Sequence, residues 1–122
     1  MAERLASHLD SMKRAAADAI AFMDGMSLDA FLLDAKAQAA VAMCLIVIGE
    51  AANNLALGAP DFVEAHPDWS WDQMRGLRNR IAHGYDTLEP SVIWSTVNDY
   101  VPRLLSAIDA LGELDPRVGP KH

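Results

Sequence analysis

One stretch of this chain carries side chains that could act on a phosphate ester: Met74-Arg75-Gly76-Leu77-Arg78-Asn79-Arg80-Ile81-Ala82-His83-Gly84-Tyr85-Asp86. A guanidinium offers paired donors to two phosphate oxygens. An imidazole, with an ordinary pKa of about 6.5, can take or give a proton near neutral pH. At about 100° per residue, Met74, Leu77 and Ile81 fall within about 60° and predict a buried stripe. Arg75, Arg78, Asn79, Ala82 and His83 share a separate arc of about 140°. Arg78 and His83 are five residues apart, diverge by about 140°, and do not stack on one face. Converging on one phosphate would take a long arginine reaching along the helix, or a partner subunit presenting the same face. Taken alone, the spacing has an ordinary reading too: arginine near a helix carboxyl end interacts with the dipole, and histidine there caps carbonyls.

Other chemistries find no footing. The chain has no Gly-rich phosphate loop, no Gly-x-Gly-x-x-Gly and no Cys-x-x-Cys. No His-x-x-x-His or Glu-x-x-His pair offers metal ligands on one helical face, so no metal and no cofactor are expected. Cys44 lies among Met43, Leu45 and Ile46 and reads as buried filler, and Trp69, Trp71 and Trp94 as packing anchors.

The elements that must position these groups read as helices. Of 122 residues, 52% are hydrophobic and 22% charged, which favours one packed domain over a disordered tail. The net charge of -7 argues against a broad phosphate-binding surface. Yet three of the ten Lys and Arg residues (Arg75, Arg78, Arg80) fall within six positions, which suggests a local anion site. A single cysteine fits a reducing compartment, the amino terminus lacks signal-peptide features, and a cytoplasmic location is expected. The most apolar run, between Lys36 and Glu50, spans 13 residues, short of the roughly 18–20 that cross a bilayer, so it reads as a core helix and no membrane is expected.

Periodicity predicts an all-α antiparallel bundle of four long helices plus one short one. The first runs from Ala2 to Met23, with Leu5, Leu9, Met12 and Ala16 on one stripe, and stops at Asp24-Gly25. The second runs from Leu28 to about Leu55 behind a Ser27 N-cap. A short helix spans Asp61 to Ala65. The third covers Trp71 to His83, with Ser70 and Gln73 as a capping box. The fourth runs from Ser91 to Leu111, kinked at Pro102. Residues 1–111 are expected to form the domain and 112–122 a flexible tail.

The segment around Arg78, His83 and Tyr85 resembles the Arg-x-x-x-x-His-x-Tyr motif of HepT-like toxins, members of the HEPN domain superfamily. Ile48-Gly49-Glu50-Ala51, Met74-Arg75-Gly76-Leu77-Arg78-Asn79, Trp94 and Val101-Pro102-Arg103-Leu104 also look like the family pattern, so the resemblance covers about Met1 to Leu111. It implies an all-α homodimer acting as a metal-independent endoribonuclease in a toxin–antitoxin system. Its partner would be a minimal nucleotidyltransferase (MNT-type) antitoxin that adenylylates the motif tyrosine. By residue match, Arg78 and His83 are the expected catalytic pair and Tyr85 the modified position. Asn79, Arg75 and Glu50 are expected in support, Glu50 with the alternative of simply pairing with a nearby arginine. The competing expectation is a catalytically silent helical module that binds a nucleotide or a partner protein.

Overall fold

The computed structural model describes residues 2–114, and every regular element among them is helical. The first helix, α1 (Ala2–Phe22), carries Leu5, Leu9, Met12, Ala16 and Ala19 at alternating steps of four and three, all buried, and Met23 just beyond its end continues the stripe. That repeat gives one apolar stripe, and burying a side chain such as Met12 is worth about 1.5–3 kcal/mol. The turn after it is made by Gly25, whose φ of +76° belongs to the left-handed region that glycine enters without steric cost.

The expected second helix divides. α2 (Leu28–Leu32) starts at Ser27, whose hydroxyl accepts from the Ala30 amide at 3.1 Å. It stops at Leu33, and α3 (Ala35–Gly58) begins anew behind Asp34, whose carboxylate accepts from the Ala37 amide at 2.9 Å. The Gln38 amide donates to the Phe31 and Leu32 carbonyls at 2.8 and 3.2 Å, satisfying groups that the break would leave bare. The break lets Phe31 turn inward, fully buried, against Trp94 at 5.7 Å between ring centroids.

α3 is the central element and packs most extensively on α1 and α5. At 24 residues it is long and apolar enough to cross a membrane by composition alone, so the 13-residue run understated it. Half of its most apolar stretch is buried inside the fold, as in a core helix. Pro60 opens the short α4 (Pro60–Ala65).

A 3₁₀ turn at Pro67–Trp69 leads to α5 (Trp71–Gly84). The expected capping box is absent: Ser70 adopts a left-handed conformation (φ +58°) and its side chain caps nothing. Tertiary packing overrides the local signal here. Trp69 and Trp71 stack at 5.4 Å on either side of Ser70, Phe62 meets Trp69 edge-on, and the Trp71 indole donates to the His66 carbonyl at 2.8 Å.

Another 3₁₀ turn (Tyr85–Thr87) precedes α6 (Pro90–Asp99), and α7 (Val101–Leu114) completes the described chain. The expected fourth helix thus breaks at Tyr100 rather than bending. Pro102 has no amide hydrogen to continue the ladder, and the Arg103 Nε–H donates to the Asp99 carbonyl at 2.9 Å across the gap. Residues 112–114 are helical, which shortens the expected tail; residues 115–122 lie outside the described part.

Candidate active site

α5 meets α3 at a glycine. A Cβ on Gly49 would stand 2.2 Å from the Arg78 Cβ and 2.9 Å from the Met74 carbonyl oxygen, so only glycine allows this approach. The next residue on α3 is Glu50, and the approach brings its carboxylate to 2.5 Å from Arg78 Nε. The Nε–H is not aimed at that oxygen and has no hydrogen-bond partner, so the contact is ionic rather than a well-formed hydrogen bond. Arg78 Nη1 donates to the Asn79 side-chain oxygen at 3.0 Å. With the two side chains 30% and 47% exposed, such a pair is worth at most about 1 kcal/mol, so it orients the guanidinium more than it stabilises the fold. Arg75, half-buried on the same arc, has no ion-pair partner among the described residues.

His83 lies elsewhere on the helix. It is exposed and lines a shallow hollow of about 260 Å³ with Arg80, Gly84, Thr87 and Leu88; Arg78 is not among the lining residues. The structure therefore gathers Arg78, Asn79 and Glu50 on one flank of α5 and sets His83 with Arg80 on the other. Within one chain it does not bring Arg78 and His83 together. Tyr85 follows His83 in the 3₁₀ turn and is 39% exposed. Of the stripe predicted to be buried, Met74 and Ile81 are; Leu77 is only half-buried, because it faces a groove.

Sequence reasoning missed that groove. α5 lies against α3 but stands off from α6, leaving a cleft of about 360 Å³ floored by Leu45 and Ile48. Arg80 lines both this cleft and the His83 hollow. A second feature is the outer face of α3, where Met43 (58% exposed), Val47 and Leu57 share a stripe with Glu50 at steps of three, four and seven.

The residues from 12 to 111 match the family described as Ribonuclease HepT-like. The chain belongs to the HepT-like ribonuclease family. It is 37% identical over 103 residues to a Methanocaldococcus jannaschii protein named "Putative RNase MJ0127", covering 84% of this chain and 79% of that one. It is 36% identical over 81 residues to the "Probable ribonuclease HepT" of Thermococcus cleftensis, covering 66% and 71%. A third relative, "Putative RNase MJ1380" of Methanocaldococcus jannaschii, is 30% identical over 92 residues, 75% and 82% of the two chains. No solved structure matches significantly.

Two groups of the HepT-like scaffold outside α5 have shifted pKa values. Burial pushes the Cys44 thiol above its ordinary pKa, helped by Asp18 and offset in part by a backbone hydrogen bond. Burial also raises the Tyr100 phenol, which donates to the Trp69 carbonyl; Arg103 partly opposes the shift. Among the described residues, no three of His, Cys, Asp and Glu cluster as a metal site would require.

Proposed function

We propose that this chain is the toxin of a toxin–antitoxin pair, an endoribonuclease that cuts RNA without metal through Arg78 and His83. The observation that carries this reading is one helix presenting an oriented guanidinium and an exposed imidazole five residues apart, in a chain of a ribonuclease family. His83 of one copy, neutral, takes the proton of the 2′-hydroxyl, and the protonated His83 of the second copy supplies one to the leaving 5′-oxygen. The 2′-oxygen bonds to phosphorus as the bond to the 5′-oxygen breaks, giving a 2′,3′-cyclic phosphate and a 5′-hydroxyl end. Arg78 holds two non-bridging oxygens of the phosphorane, Asn79 and Glu50 fix its plane, and Arg75 draws in the strand.

Since the two groups occupy different flanks of α5, the complete site needs a second copy of the chain. The exposed apolar stripe of Met43 and Val47 on α3 runs into Glu50 and supports this, because a copy seated there stands directly beside Arg78. Restraint of the toxin fits Tyr85: exposed and two residues from His83, it offers a hydroxyl to an MNT-type nucleotidyltransferase. Each adenylyl group would add phosphodiester charge to the face meant for RNA.

The test is cleavage of total RNA in chelator by purified protein. Defined fragments ending in cyclic phosphate are expected from wild type and none from folded His83→Ala; cleavage retained by His83→Ala sinks the assignment. If wild type does not cut and the protein still binds RNA or nucleotide, the silent-module reading replaces it.

A further inference from the structure

The groove between α5 and α6 has no role in the reaction as drawn, yet it is built for a flat, apolar-faced ligand with a charged end. Its volume of about 360 Å³ is that of a small-molecule site, in the range of roughly 300–1,000 Å³. Leu45 and Ile48 form an apolar floor and Tyr100 lends an aromatic wall, its ring fixed by the bond from its hydroxyl to the Trp69 carbonyl. Polar groups sit at the rim. The Gln73 amide has no hydrogen-bond partner among the described residues, and the Thr96 hydroxyl, which donates to the Val92 carbonyl at 2.7 Å, keeps its lone pairs free to accept.

Gly76 is the second observation. Glycine inside a helix costs about 1 kcal/mol relative to alanine. At Gly49 the crossing with α3 explains it, but a Cβ on Gly76 would meet nothing within 4 Å. No contact among the described residues requires that glycine. Its effect is to leave the groove wall low, where something from outside can lie against α5. The third observation is Arg80. Its guanidinium has no ion-pair partner among the described residues and borders both the groove and the His83 hollow.

We propose that this groove is a subsite for the base of the nucleotide adjoining the cleaved bond. Arg80 binds that nucleotide's phosphate, the base slides edge-first over Gly76 with its faces against the apolar floor and Tyr100, and Gln73 and Thr96 read its edge. A nucleobase suits the slot because its faces are apolar and its rim polar. The shared arginine ties the slot to the catalytic imidazole, since a phosphate on Arg80 has the groove on one side and His83 on the other. The inference rests on the ribonuclease reading given above.

The test separates binding from cleavage. Fluorescence anisotropy measures binding of a 2′-O-methyl RNA decamer, which the mechanism cannot cut, alongside versions with one abasic position moved along the strand. Stacking and burial of one base typically shift affinity by about tenfold or more. Wild type is expected to lose about tenfold at one abasic position. Gly76→Leu, which fills the slot, should bind the intact decamer about tenfold more weakly and show no abasic dependence. Gln73→Ala should change which base is preferred there, a readout that survives if Gly76→Leu fails to fold. Equal binding at all abasic positions, or an unchanged abasic penalty in folded Gly76→Leu, overturns the subsite. So does a Gly76→Leu protein that binds RNA as wild type but no longer forms a complex with its own copies or a transferase, since the groove then takes protein. The two readings fail separately. An abasic signature without cleavage of the matching all-ribose decamer keeps the subsite and removes the ribonuclease, whereas His83-dependent cleavage without a signature does the reverse.

Discussion

Gly49→Ala puts the helix crossing that aims Arg78 under direct test. The added methyl would lie 2.2 Å from the Arg78 Cβ and 2.9 Å from the Met74 carbonyl. Carbon atoms settle about 3.5–4.0 Å apart, so α5 would have to move off α3 by more than about 1 Å. Overpacking costs about 1–3 kcal/mol, and the upper end applies because a Cβ and a backbone carbonyl cannot rotate aside. Alanine's better helix propensity returns about 1 kcal/mol, leaving a net loss of about 2 kcal/mol. For a domain of this length that corresponds to a fall in Tm of about 8 °C. Thermal unfolding followed by circular dichroism measures it, with Gly76→Ala as the opposite control: its site is open, and it should gain about 0.4–1 kcal/mol. RNA cleavage by Gly49→Ala at a temperature where it stays folded should fall at least tenfold, because Arg78 loses its register with Glu50. An unchanged Tm, or full activity in a protein with a lowered Tm, would refute the reasoning about the crossing.

The remaining expectations concern other parts of the molecule. Val47→Glu charges the exposed stripe of α3; light scattering should find a monomer with no cleavage activity and an unaltered helical spectrum, and an active dimer would discard the stripe as the interface. Co-expression with the transferase should add mass in adenylyl units, and Tyr85→Phe should remove the gain; a gain persisting in that variant shifts the modification elsewhere. The Tyr100 phenol has a raised pKa in the folded state, so the unfolded chain releases its proton first as pH climbs past about 10. Stability is then full below that pH and declines above it, by no more than about 1.4 kcal/mol per pH unit for one proton. Melting curves of wild type and Tyr100→Phe between pH 8 and 11 should converge as pH rises, and parallel curves contradict the shift.

How far the sequence announces this molecule depends on whether a local pattern or a distant neighbour decides. The stripe of α1 and the stop at Gly25 are local, and both are visible in the residues. Asp34 is not. An aspartate after two leucines fits the surface of a continuous helix equally well, and it becomes a cap only because Gln38 plugs the end of α2 and Phe31 finds Trp94. Ser70 with Gln73 carries a true capping pattern, yet the stacked Trp69 and Trp71 force its backbone into a conformation where the cap cannot form. In the site, the divergence of Arg78 and His83 follows from helix geometry alone. Which neighbour Arg78 faces does not, since Gly49 looks in sequence like any small residue in an apolar helix and its meaning is a contact. The groove beside Gly76 was illegible for a simpler reason: it is the space two helices leave between them.

Arg78 and His83 ride on one continuous rod, with no hinge between them. Deleting a single residue from 80–82 would swing the imidazole about 100° around the axis and draw it back about 1.5 Å, without removing a partner of the guanidinium. Indels therefore cannot fine-tune the distance between the two groups, as a loop-borne site allows. Gradual adjustment has to come from how neighbouring bodies seat against the rod, which leaves substitutions at its contact faces as the only smooth route to a different substrate.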